Sequence, residues 1–266
     1  MSILSTNSPI GFFDSGVGGL TVLDKVKKLL PNENYIFIGD TKHVPYGDKT
    51  KEQLLEYSKN ILDYFQERSC KAVVMACNTT SSVIYNDIKD KYGFKLYPVV
   101  QSVAKVLSEL DIQRLGIFAT KATINSNSYN KEIAKYNDKI KVFGQYCSQW
   151  VNIVENNLTD KDESIQIIKS DLDRMLENTP DKIVLGCTHY PYLLPVLAKF
   201  ENKDKFIDPA IYLAEYIYKD LKENNLINQS TDDKFEEFYS TSNPEKFKNS
   251  GKMFYDIKGK VELINL

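Results

Sequence analysis

Ala72-Val-Val-Met-Ala-Cys77-Asn78-Thr79-Thr80 is the stretch that decides the fold. Its first five residues are all apolar, and a thiol, an amide and two hydroxyls follow. A continuous apolar run of this length reads as a strand buried on both faces of a parallel sheet. The carboxyl end of such a strand opens into the crevice where α/β proteins bind their ligands. The pattern returns at Ile183-Val-Leu-Gly-Cys187-Thr188-His189-Tyr190. Two strand-end cysteines in matching contexts point to paired roles.

Outward from Cys77 the chain alternates between strand and helix patterns. Upstream, Pro9 to Phe13 and Tyr35 to Ile38 read as strands. Helices carrying Leu20, Leu23, Val26 and Leu29, then Leu54, Ser58, Ile61, Leu62 and Phe65, follow them. Thr50 and Gln53 have the spacing of a capping box. Downstream, the pattern predicts helices over Ser81–Lys91, Ser102–Leu110, Ser126–Tyr136 and Trp150–Glu155. A longer helix carries Ile165, Ile168, Leu172 and Leu176, and another runs from Ile211 to Lys222. Strands are expected over Lys95–Val99, Arg114–Ala119, Lys141–Tyr146 and Lys205–Ile207, with a turn at Thr120–Thr123. This rhythm predicts an α/β protein with two similar parallel-sheet domains. The repeat places residues 1–98 with 210–266 in a first domain carrying Asp14 and Cys77. Residues 99–209 form a second, carrying Cys187 and His189. The tail from Lys234 lacks the rhythm and is expected to pack back onto one domain.

Bulk properties narrow the function. A net charge of −2 and a pI near 5.9 leave no basic footprint for nucleic acid. No apolar run reaches the roughly 18 residues needed to span a bilayer, and the first eight residues lack signal-peptide character. The expected location is the cytoplasm. Four scattered cysteines, Cys70, Cys77, Cys147 and Cys187, make no disulfide framework and are expected as free thiols. Cys70 and Cys147 read as inert packing residues.

Asp14-Ser-Gly-Val-Gly-Gly19 has neither the G-x-G-x-x-G spacing nor a P-loop Lys. Asp14 would repel a phosphate at the helix N-terminus. The loop is either a tight strand-to-helix turn capped by Ser15, or a carrier of one carboxylate at the site that offers N–H groups to a small anion. Cys187 and His189 could ligate zinc, but the chain has no C-x-x-C and only two histidines. The same pair could form a thiol hydrolase dyad, which leaves Cys77 idle. Two thiols facing each other across a crevice suit proton transfer at a carbon centre, one removing a proton and the other returning one. A thiol of pKa about 8.5 costs about 2 kcal/mol to ionise at pH 7, within reach of a helix dipole or a nearby donor. His43 reads as a loop histidine, and spacing alone leaves Glu155 an ordinary carboxylate.

With these residues in view, the chain resembles the glutamate racemases of the aspartate/glutamate racemase family. The matching segments are Phe13-Asp-Ser-Gly-Val-Gly-Gly-Leu20, Gly39-Asp-Thr41, Pro45-Tyr-Gly47, Ala76-Cys-Asn-Thr79 and Gly186-Cys-Thr-His189. Thr120-x-x-Thr-x-x-Ser126 and the segment beginning at Phe238 match more weakly. The resemblance implies two α/β domains in pseudo-twofold relation with the site between them, commonly in a homodimer. It implies interconversion of L- and D-glutamate for peptidoglycan, without pyridoxal phosphate or metal. Cys77 would take the α-proton of D-glutamate and Cys187 that of L-glutamate, assisted by Asp14 and His189 respectively. Ser15, Tyr46, Gly47, Asn78, Thr79 and Thr188 would hold the substrate, with Asp14 and His189 beside them. Glu155, Thr120 and Thr123 would stand behind. An aspartate racemase on the same two thiols is the near alternative; a non-catalytic amino-acid binding module is a more distant one. The chain departs from the family's pattern at Ser148-Gln-Trp-Val-Asn152 and at Val100-Gln-Ser102.

Overall fold

Ile10–Asp14 forms β1, buried at all its positions between β2 (Tyr35–Gly39) and β3 (Ala72–Met75) in a computed structural model that describes residues 5–231 and 234–266. Helices on both faces explain why these strands are apolar throughout. Burying each large side chain, such as Phe12 or Phe13, contributes about 1.5–3 kcal/mol. β4 (Lys95–Pro98) completes the first run of strands. Between them come α1 (Leu20–Leu29), α2 (Lys51–Glu67) and α3 (Asn78–Ile88). Thr50 and Gln53 make the expected capping box at the start of α2.

The chain then crosses through α4 (Val99–Ser108) to a second sheet. Its strands are β5 (Arg114–Ala119), β6 (Lys141–Tyr146), β7 (Lys182–Gly186) and β8 (Phe206–Ile207). They are linked by α5 (Lys121–Ser126), α6 (Ser128–Ala134), α7 (Trp150–Glu155), α8 (Asp162–Leu176) and α9 (Leu194–Leu197). The return passes along α10 (Pro209–Glu223), then β9 (Glu236–Ser240), α11 (Pro244–Gly251) and β10 (Val261–Leu263).

Every strand pair is parallel, and the sheets run β10-β9-β2-β1-β3-β4 and β6-β5-β7-β8. The second order repeats the run β2-β1-β3-β4 of the first: second strand, first, third, fourth. Chain direction across the sheet reverses between β1 and β3, and again between β5 and β7. Ligands bind at the carboxyl ends of strands flanking such a reversal. Asp14 and Cys77 stand there in one half, Thr120 and Cys187 in the other. One apolar cluster runs through both halves, and α10 packs against both α1 and α4.

Two expectations near the strand ends are corrected. The helix after Cys77 begins at Asn78, not Ser81, so the polar run is its first turn. The Thr120–Thr123 turn is the start of α5, with Thr120 as its N-cap. The tail from Lys234 packs back onto the first half, and it does so as strands: β9 and β10 widen the first sheet beyond β2. β9 escaped the pattern because Glu236 and Glu237 open it, neutralised in three dimensions by Lys27 and Arg68. Away from the site, buried Lys71 donates to Glu33 and to the carbonyls of Thr6 and Leu226, clasping the early and late segments together.

Candidate active site

Asp14 closes the turn into α1 with its own side chain. Its Oδ2 accepts from the backbone N–H of Gly19 at 2.9 Å and of Gly16 at 3.4 Å. The start of α1 therefore has no Ser15 cap, and these N–H groups are taken by the carboxylate rather than offered to an anion. Asp14 is fully buried, and its Oδ1 has no partner among the described residues. Burial raises its pKa, opposed by the charge of His189 and by N–H donation from Gly19, Gly16 and Ser15.

Cys77 lies between β3 and α3 as the helix N-cap, 6% exposed. Burial pushes its thiol up to about 12, and the charges of Asp14 and Cys187 add to this. The N–H groups of Thr80 and Thr79 at the helix start pull the other way. The balance keeps Cys77 as a thiol, a proton donor at neutral pH.

Cys187 directly follows β7 with 8% exposure, and its surroundings differ. Its Sγ is 3.8 Å from His189 Nδ1, and His189 Nε2 is 3.0 Å from Glu155 Oε1 at the end of α7. Burial alone would depress His189, but its bonds to Cys187 and Glu155 and their charges outweigh it, raising the imidazole to about 10. Glu155 is held below its usual range despite burial, by His189 and by Lys246. An imidazolium with both N–H groups donating thus stands beside Cys187, and Glu155 is no ordinary surface carboxylate. Among the described residues no group of three His, Cys, Asp or Glu side chains could hold a metal ion.

The two halves meet through these same loops. Thr188 Oγ1 donates to Asp14 Oδ2 at 3.5 Å. Thr79 and Thr120 hydroxyls are 3.0 Å apart, and Thr120 continues to Thr123 at 3.1 Å. A Cβ on Gly47 would lie 3.2 Å from Thr120, so the Tyr46-Gly47 segment also sits against the second half. Gly18 is closer still: a Cβ there would be 2.3 Å from Thr188 Oγ1 and 2.7 Å from the His189 ring. Every site residue singled out in the sequence is thus at or beside the junction, with Ser15 half-buried in the Asp14 turn.

Two residues were missed. Asp40, buried after β2, accepts from the Tyr46 hydroxyl, from Thr241 Oγ1 at 2.6 Å and from His43 Nδ1 at 2.9 Å. It anchors the loop that carries Tyr46, and the Tyr46 hydroxyl is thereby already engaged. His43, stacked on Tyr57 at 3.7 Å, belongs to that anchor. The Gly39-Asp-Thr41 motif was the available signal for Asp40. Tyr129 of α6 reaches Asn78 Oδ1 at 2.7 Å, and no spacing in the sequence announces that contact.

The model of the Asp/Glu/hydantoin racemase family matches residues 15–217. A glutamate racemase of Caldanaerobacter subterraneus subsp. tengcongensis is 40% identical over 226 residues, covering 84% of each chain. The glutamate racemase of Carboxydothermus hydrogenoformans is 36% identical over 259 residues, 97% of this chain and 96% of its own. The crystal structure of glutamate racemase from Francisella tularensis subsp. tularensis, in complex with D-glutamate, superposes with a TM-score of 0.90 at 31% identity, covering 98% of both chains.

Proposed function

The chain belongs to the Asp/Glu/hydantoin racemase family, and on that footing we propose that it interconverts L- and D-glutamate by proton transfer between two cysteines. The observation that carries the reading is the equivalent placement of Cys77 and Cys187 after the third strand of each sheet, each beside its own buried assistant. Asp14 serves Cys77, and His189 with Glu155 serves Cys187.

In the L-to-D direction Cys187, as thiolate beside the His189 imidazolium, removes the α-proton, and Cys77 delivers its thiol proton to the opposite face of the carbanion. Reversal exchanges the roles. Ser15, Gly47, Asn78, Thr79 and Thr188 hold the substrate's carboxylates and ammonium, and Tyr46 contributes through its backbone and ring. Thr120 and Thr123 brace Thr79 from the second half.

The division into residues 1–98 with 210–266 and residues 99–209 follows from this reading. So do a cytoplasmic homodimer, supply of D-glutamate to peptidoglycan, and a reaction needing neither pyridoxal phosphate nor metal. The near alternative, aspartate, differs by one methylene, worth about 1–3 kcal/mol in a pocket.

The test is racemisation of each enantiomer of glutamate and aspartate in D₂O, with product chirality and Cα deuterium read together. Glutamate product labelled at Cα is expected, together with loss of about 10²–10⁴-fold in kcat for Cys77→Ser and for Cys187→Ser. Failure of the wild-type protein to label or invert either enantiomer of glutamate would overturn the reading.

A further inference from the structure

Asn78, the residue after Cys77, forms a hydrogen bond with Tyr129 across the junction of the two halves. Asn78 is the first residue of α3, and Tyr129 is the second of α6. Both are almost wholly buried, at 3% and 4% exposure. The phenol donates to Asn78 Oδ1 at 2.7 Å. Thr79, the next residue of α3, makes its own bond to Thr120 of the second half. The first turn of α3 is therefore held on two successive residues by groups from the other sheet.

The amide of Asn78 has one acceptor and two donors. Tyr129 engages the acceptor. No described residue bonds to Nδ2, and Nδ2 is not among the fully enclosed polar atoms that lack partners. The Nδ2 group is therefore not sealed in protein. Donors so placed complement a carboxylate. A rotated amide would offer its carbonyl oxygen, which repels one. Burial raises the Tyr129 hydroxyl far above its ordinary range, with the charges of Cys187 and Asp208 adding to it, so it remains a donor.

We propose that Tyr129 is a positioning residue: its phenol fixes the rotation of the Asn78 amide so that the Asn78 N–H donors meet a substrate carboxylate, and it does so only when the two halves are together. The proposal rests on the racemase reading. It makes part of the carboxylate site conditional on the junction, because the group that orients Asn78 comes from the opposite half.

Tyr129→Phe keeps the ring and removes one hydroxyl. The expected result is a KM for both enantiomers raised about tenfold, with kcat changed less than threefold and the thermal midpoint nearly unmoved. A purely structural role would lower the midpoint and leave KM of the folded protein alone. Asn78→Ala should raise KM as well, and adding Tyr129→Phe to it should change nothing further, since the second group acts through the first. Asn78→Asp keeps an acceptor for Tyr129 but presents a charge to the substrate, and its kcat/KM should fall by more than about a hundredfold. That variant carries the test if Tyr129→Phe fails to fold. Wild-type KM in Tyr129→Phe or in Asn78→Asp, or multiplying effects in the double variant, would sink the proposal. If the wild-type protein racemises glutamate and these variants behave normally, only the role of Tyr129 falls. If it racemises neither enantiomer, the functional reading falls and takes this proposal with it.

Discussion

Glu155 Oε1 lies 3.0 Å from His189 Nε2, on the side of the ring opposite Cys187. The imidazole is thus held between a carboxylate and a sulfur, while its counterpart on the Cys77 side is a fully enclosed aspartate. The two thiols occupy equivalent places in repeated topology but not equivalent electrostatic environments.

Glu155→Gln tests that clamp. The folded-state pKa of His189, about 10, lies above its ordinary 6.5. The stability it contributes is therefore full below about pH 6.5 and is lost as pH rises through 10. Glutamine retains a hydrogen bond without the charge, so His189 should titrate lower. Because Glu155 is one-third exposed, solvent screening limits the expected loss at pH 7 to about 1–2 kcal/mol. Urea unfolding at pH 6 and pH 9 should show a smaller difference in the variant than in the wild type. An unchanged difference would place the source of the His189 shift elsewhere.

Asp14→Asn separates stability from activity. Burial raises the Asp14 pKa above 3.8, so its contribution to stability falls as pH climbs from the unfolded value through the folded one. The enclosed carboxyl leaves one oxygen without a partner among the described residues. An asparagine can keep its oxygen toward Gly16 and Gly19 and does not ionise, which removes that fall in stability with rising pH. The melting temperature at pH 7 should rise, while kcat/KM falls about a hundredfold. The fall must be equal in both directions, because enantiomers in water have an equilibrium constant of one. Melting curves and polarimetric assays of both substrates check the pair of outcomes.

Gly18→Ala probes the seating of the two halves. The added methyl carbon would meet Thr188 Oγ1 and the His189 ring well inside contact distance. Relief requires the Cys187 loop to move, at about 1–3 kcal/mol in stability. A shift of about 1 Å in catalytic groups can lower the rate a hundredfold, so activity should suffer more than folding. Gly259→Ala, where the added carbon would lie 4.0 Å from the Glu236 carbonyl oxygen, should leave both untouched. Equal small effects at the two glycines would contradict the close approach.

Much of the fold is legible in the chain because parallel strands covered on both faces must be apolar throughout, and helices between them must show one apolar stripe. Arg114–Ala119, Lys141–Tyr146 and Trp150–Glu155 have the bounds the pattern predicts. The tail shows the limit. β9 is only half-buried and carries Glu236 and Glu237, so its periodicity vanishes until Lys27 and Arg68 are brought to it from distant segments.

The same division runs through the site. Cys77, Cys187 and His189 are announced by local sequence, since a polar run at the end of a buried strand is readable without any partner. Sequence by itself determined the alternation, the repeated thiol and the family. Tertiary structure alone decided that Asp14 takes the turn's N–H groups, that Asp40 anchors Tyr46, that Glu155 clamps His189 and that Tyr129 orients Asn78. Two of those four contacts join residues five and six apart, and Glu155 with His189 joins residues 34 apart. The fourth, Asn78 with Tyr129, joins residues 51 apart, where no periodicity operates. The partner of Asn78 comes from the other half of the molecule, and only packing the two halves together supplies it.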